Sequence, residues 1–176
     1  MSAVLPQLDL GPAPIVDFDG TVARLPVDWD ALRRQLGVSR IAELWTRSQA
    51  DEEAWKVVSA AEYEAALVAQ PVGSIVDALA GVAGFAVLTS NSVAAVDAFC
   101  DRHPALRERM SVVIGREMLR GPKTDFGRFS AGFAVCLEAT AGDRGDAETV
   151  YAGDQHYELD FAHRLGARTI MVERDA

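Results

Sequence analysis

Apolar and polar positions alternate along this chain in two rhythms, short apolar runs of strand length and longer stretches in which apolar residues recur at helical spacing. The runs at 13–18, 85–88, 111–114, 149–152 and 168–172 predict strands. Between them, residues 74–79, 92–99, 124–138 and 158–165 predict helices, and the Gly/Asp-rich piece 141–146 predicts a surface loop. Strands that alternate with helices are joined by right-handed crossovers and pair in parallel. The expected fold class is therefore α/β, with a mainly parallel sheet of about five strands. No internal repeat or low-complexity segment interrupts this order.

One stretch departs from the alternation. After the first strand, a polar bend at 22–28 leads to Trp29, Leu32 and Leu36 at helical spacing, with Asp28 placed as N-cap and Gly37 as the stop. Ile41, Leu44 and Trp45 suggest a second helix, and Asp51-Glu52-Glu53 opens a third by putting acid at the positive end of its dipole. Ser59 with Glu62 is a capping-box pattern that predicts a restart of this helix, which then runs to Gln70 and stops before Pro71. Residues 23–70 thus read as an all-helical insert between core segments 1–22 and 71–176. Its aromatic residues, Trp29, Trp45, Trp55 and Tyr63, either form the insert's own small core or place one or two rings in a pocket.

Composition narrows the classes of function. A chain of 176 residues with 49% hydrophobic and 24% charged residues buries a true core and reads as globular. A net charge of −9 with no offsetting Lys/Arg cluster argues against nucleic acid as a partner. No apolar run approaches membrane-spanning length, and residues 1–14 lack the pattern of a signal peptide, so no membrane partner and a cytoplasmic location are expected. Cys100 and Cys136 lie in apolar helical contexts without metal-ligand spacing and are expected to be core thiols.

Candidate chemistry sits at the ends of the predicted strands. Ile15-Val16-Asp17-Phe18-Asp19-Gly20-Thr21 places two carboxylates two residues apart where the first strand breaks at a glycine. Asp17 then stands at the carboxyl end of the strand, where open α/β sheets bind ligands, and a hard cation with oxygen ligands, Mg²⁺ above all, would offset the repulsion with Asp19. The second strand ends in Thr89-Ser90-Asn91, a hydroxyl and backbone amides that can face an anion. Lys123 precedes the next long helix, and a later strand ends in Gly153-Asp154 with Glu158 four residues on. Each string alone also fits a solvated turn, an ordinary N-cap or a loop lysine. Two acid-ended strands with Thr and Lys between them form a constellation.

In that order, Asp17-x-Asp19-Gly20-Thr21, Thr89, Lys123 and Gly153-Asp154-x-x-x-Glu158 resemble the four motifs of the haloacid dehalogenase-like (HAD) superfamily, over nearly the whole chain. Residues 25–29 and 166–170 also look like its phosphoglycolate-phosphatase-like branch. The resemblance implies a Rossmann-like three-layer sandwich with a small helical cap, and a Mg²⁺-dependent phosphatase acting on a small phosphorylated metabolite as a monomer or homodimer. Asp17 would be the nucleophile that forms an aspartyl-phosphate. Asp19 would be the general acid/base, with its main-chain carbonyl on the metal. Thr89, with Gly20, Ser90 and Asn91, would hold the phosphoryl group beside Lys123. Asp17, Asp19, Asp154 and Glu158 would surround Mg²⁺. A phosphomutase, a dehalogenase or a non-catalytic binding protein on the same scaffold are the other readings. The chain departs from the family pattern in Thr124, where proline is common, in a cap short for this branch, and in Glu158, which stands for the commoner Asp and has Asp160 as a rival.

Overall fold

The computed structural model describes residues 8–47 and 51–173. Its main sheet consists of β1 (Ile15–Val16), β4 (Phe85–Leu88), β5 (Met110–Ile114), β6 (Val150–Gly153) and β7 (Arg168–Met171), in the order β5-β4-β1-β6-β7. Every pairing in it is parallel. Because successive side chains in a strand point to opposite faces, each strand serves two cores. Val16, Phe85 and Val87 pack with α3 (Gly73–Leu79) and α4 (Val93–Cys100) through Ile75, Leu79, Val96 and Phe99. Ile15, Ala86, Leu88 and Tyr151 pack on the other side with α7 (Phe126–Ala139) and α9 (His156–Arg164) through Phe129, Phe133 and Ala162. The result is the expected three-layer α/β arrangement with a parallel sheet of five strands. Cys100 and Cys136 are buried free thiols. No helix among the described residues is long and apolar enough to cross a membrane.

The insert stands on a short antiparallel ribbon, β2 (Ala23–Arg24) against β3 (Gln70–Pro71). Between these strands lie α1 (Trp29–Leu36), a 3-10 turn at Ile41–Trp45, and α2 (Glu52–Ala66). Asp28 and Asp51 cap α1 and α2 by accepting from Ala31 N and Ala54 N, and Gly37 ends α1 in the left-handed conformation. Leu32, Leu44, Ala54 and Val58 make the insert's own core.

Three sequence expectations change. The capping-box pattern at Ser59 and Glu62 does not restart a helix, because α2 runs unbroken and the Glu62 carboxylate turns away from its own backbone toward the core of the molecule. The helix ends at Ala66 rather than Gln70, since Gln70 and Pro71 are drawn into the ribbon with β2. Residues 141–144 form a helical turn rather than a loop. Two further short helices, α5 (Pro104–Arg109) and α6 (Arg116–Leu119), flank β5; α8 is the Ala141–Arg144 turn.

Candidate active site

β1 lies between β4 and β6, so successive connections leave it in opposite directions and a crevice opens at its carboxyl end. Asp17 stands there, 6% exposed, its amide donating to Ala152 O at 2.9 Å. The chain then turns tightly, and Phe18 O accepts from the amides of Thr21, Val22 and Ala23. Gly20 makes this possible with φ of 87°. The expected phosphate-binding role of Gly20 is not what the geometry gives, because its amide donates to Ala23 O at 2.7 Å and the residue does not line the cavity. Asp19 does line it, and its Oδ1 accepts from Leu25 N at 3.0 Å.

Lys123 reaches the same point from the loop between α6 and α7. Its Nζ donates to Asp17 Oδ1 at 2.6 Å and to Leu88 O at 2.9 Å, and lies 3.2 Å from Glu158 Oε1. Burial alone would pull Lys123 down, but the carboxylates of Asp17 and Glu158 outweigh it and hold the ammonium above its ordinary value. Burial pushes Asp17 up against the opposing pull of Lys123. Burial and the Asp17 charge push Glu158 up to about 7. A buried cluster of acids whose charge exceeds that of its one lysine calls for more positive charge.

Asp17, Asp154 and Glu158 offer oxygens that lie within 4.8 Å of one another, an all-oxygen donor set suited to a hard divalent cation. Of the rival acids in the fourth string, Glu158 is the one that lies beside Asp17 and Asp154. It is 1% exposed and accepts from Tyr151 Oη at 2.9 Å, whereas Asp160 is exposed on the outer face of α9. Gly153 makes room for it, since a Cβ there would collide with Glu158 Oε2. For the Mg²⁺-dependent reaction proposed below, Glu158→Ala is expected to raise the Mg²⁺ concentration for half-maximal activity by roughly tenfold to a hundredfold, with little change for Asp160→Ala. A Mg²⁺ titration of both variants checks this, and the reverse order of effects would reassign the fourth string.

Thr89 and Ser90 follow β4 and line the cavity, as do Asn91 and Lys123. Asn91 is engaged by protein on all sides. Its amide donates to Thr89 Oγ1 at 3.1 Å, its Nδ2 donates to Glu62 Oε1 at 3.1 Å, and its Oδ1 accepts from Thr89 Oγ1 at 2.9 Å. These bonds fix the loop after β4 and use one of the two Nδ2 hydrogens of Asn91, a residue that lines the cavity.

The partner that fixes it, Glu62, was not read as a site residue from sequence, and neither was Arg116. Arg116 Nη1 and Nη2 lie 3.0 and 2.9 Å from the two Glu62 oxygens, with both side chains buried, and Nη1 also donates to Ser90 O at 3.0 Å. Glu62 Oε2 accepts in addition from Ser92 N at 3.0 Å. One pair of charges thus ties the insert to the loop after β4. A signal for Glu62 does exist in the sequence. Ala54, Val58 and Ala66 are buried at fourfold spacing on α2, and Glu62 is the charged residue in that stripe. Nothing in the sequence marks Arg116.

Above the acids, a cavity of about 400 Å³ extends under the insert, walled by Trp29, Trp45, Trp55, Arg33 and Arg40. Tyr63, the fourth aromatic residue considered, is 41% exposed and takes no part.

No family model matches the chain, and no curated protein sequence matches it. Solved structures do. An L-2-haloacid dehalogenase from Xanthobacter autotrophicus aligns over 94% of this chain and 79% of its own, with 17% identity and a TM-score of 0.60. A HAD phosphatase from Thermococcus onnurineus aligns over 93% and 87%, with 18% identity and a TM-score of 0.58. A HAD-superfamily hydrolase of subfamily IA, variant 1, from Geobacter sulfurreducens aligns over 92% and 87%, with 20% identity and a TM-score of 0.53. The alignments span nearly the whole chain, and this chain has the fold of these HAD-superfamily hydrolases.

Proposed function

We propose that the protein is a phosphatase that hydrolyses a small phosphorylated metabolite through an aspartyl-phosphate on Asp17, with Mg²⁺ as cofactor and residues 23–70 as a cap over the site. The observation that carries the reading is the meeting of Asp17, Lys123, Asp154 and Glu158 at the carboxyl end of β1, with Asp19 in the same cavity. Halide displacement from carbon needs a carboxylate nucleophile but neither the second acid nor a cation site, so this set favours phosphoryl transfer.

Asp17, Asp154 and Glu158 would hold the cation, together with the Asp19 carbonyl. When bound, Mg²⁺ supplies positive charge against the phosphoryl oxygens. The protein does the rest. An Asp17 oxygen forms a bond to phosphorus while the bond from phosphorus to the leaving oxygen breaks. Asp19 gives a proton to that oxygen as it departs, then takes one from the water that attacks the aspartyl-phosphate, and Asp17 and inorganic phosphate are released. Lys123, already against Asp17, stays charged throughout and neutralises the anion that develops beside it. Thr89 and the Ser90 amide grip the phosphoryl group, and the insert excludes bulk water.

Phosphate release from a chromogenic aryl phosphate, with and without Mg²⁺, tests the reading. Release that needs Mg²⁺ supports it; none, alongside halide release from a 2-haloacid, would overturn it. Asp19 gives a sharper expectation. Asp19→Asn should slow alkyl phosphates by about 10²- to 10⁴-fold and aryl phosphates much less, because a good leaving group needs little protonation. Equal losses on both substrates would remove Asp19 from the general-acid role.

A further inference from the structure

A phosphoryl group and cation at Asp17 would fill only that end of the cavity, and the remaining wall has a distinct chemistry. Three indoles, Trp29, Trp45 and Trp55, and two guanidinium groups, those of Arg33 and Arg40, come from the insert. The simplest role for such indoles is to build the core of the insert. Trp29 and Trp55 do pack against the cluster of Leu32, Leu44, Ala54 and Val58, but Trp45 is not part of it. Its ring contact among the described residues is Trp55, with centroids 4.4 Å apart and planes at 42°. Trp55 in turn has the Arg116 guanidinium over its ring at 4.7 Å. Its Nε1 is buried and has no hydrogen-bond acceptor among the described residues. Trp45 is thus a half-buried indole on the cavity wall that touches the insert's core only through Trp55, beside a donor that lacks an acceptor.

Resting on the phosphatase reading, we infer that the substrate is a phosphate monoester whose leaving group carries a planar heteroaromatic ring, seated against Trp45 and Trp29 while its phosphate lies at Asp17. A flat ring covers an indole face, and stacking of this kind tolerates ring identity because every such ring has a π-face. The ring's nitrogen or carbonyl acceptors meet the indole N–H of Trp55, which lacks an acceptor among the described residues, and the N–H groups that Arg33 and Arg40 have left beside their ion pairs with Asp30 and Glu43. A volume of about 400 Å³ admits a phosphorylated sugar with one attached ring.

Two probes that differ only in the ring test this: uridine 5′-monophosphate and ribose 5-phosphate. The expected kcat/KM with Mg²⁺ is at least about tenfold higher for the nucleotide, the scale of one stacked base. Trp45→Leu should bring that ratio toward one, and so should Trp29→Leu. Affinities of the Asp17→Asn protein for both probes, measured by calorimetry, should show the same preference and the same loss of it. This second measurement keeps the inference separate from the phosphatase reading. A protein that hydrolyses neither probe nor an aryl phosphate, yet binds the nucleotide preferentially through Trp45, would refute the reaction and keep the ring site. Ratios near one in both measurements, a preference for the sugar phosphate, or a nucleotide preference that survives both indole substitutions would overturn the inference.

Discussion

Asp17→Asn is expected to lower turnover of any phosphate monoester by more than about a hundredfold while the protein still melts cooperatively. The amide keeps the shape of the side chain at the end of β1 but is a far poorer nucleophile and cation ligand. Lys123 does not lose all its partners in this variant, because Leu88 O and Glu158 remain within 2.9 and 3.2 Å. Burial already opposes the charge on Asp17, so removing that charge costs the fold less than it costs the chemistry. Steady-state rates beside a thermal melt check the pair of expectations. Beryllium or aluminium fluoride, added with Mg²⁺ to the parent protein, should attach its phosphoryl mimic at Asp17 and at no other carboxylate. Turnover retained above a few per cent in the variant, or the mimic found on Asp19, would displace Asp17 as nucleophile.

The residues of that expectation were legible in the sequence because each is tied to the end of a strand. An apolar run stopped by Gly or by a hydroxyl residue marks where a parallel sheet opens, and Asp17, Thr89 and Asp154 all follow such runs. Glu158 against Asp160 was not settled by pattern. The two differ by which face of α9 they occupy, and the Glu158 carboxylate packs where a Cβ on Gly153 would be, while Asp160 is exposed. Gly20 was assigned to phosphate because of its place in the first string, yet the turn uses its amide internally, and only a backbone trace shows that. Residues 70–71 carry a helix-ending signal in Pro71, which is correct as far as it goes, but they pair with β2 residues 46 and 48 positions away in sequence, beyond the reach of any local pattern. Glu62 is the instructive case. Its spacing from Ser59 fits a capping box, a rule about neighbours on one helix, while its real partners, Asn91, Ser92 and Arg116, lie 29, 30 and 54 residues away.

Glu62→Ala should accordingly cost far more than a surface charge. It strips a buried guanidinium of its carboxylate and leaves Ser92 N and Asn91 Nδ2 without acceptors, a loss of about 3–5 kcal/mol. For a domain of this size that corresponds to a fall in Tm of roughly 10 °C or more. Loss of stability alone would not show what the pair does for the site, and a double variant separates the two effects. Replacing both residues by methionine, Glu62→Met with Arg116→Met, removes both buried charges together and should recover most of the lost stability. It should not recover activity. With Glu62 absent, nothing fixes the amide of Asn91 with its Oδ1 toward Thr89, and with Arg116 absent, Ser90 O loses its donor. The loop proposed to grip the phosphoryl group should then sample positions an ångström or so off, which would lower kcat by about tenfold to a hundredfold. The Mg²⁺ requirement should hardly move, because Asp17, Asp154 and Glu158 are untouched. A double variant that regains both the parent's melt and its kcat would reduce the pair to a structural tie between insert and core. A single variant that melts within a degree or two of the parent would show that the buried pair adds nothing to the fold.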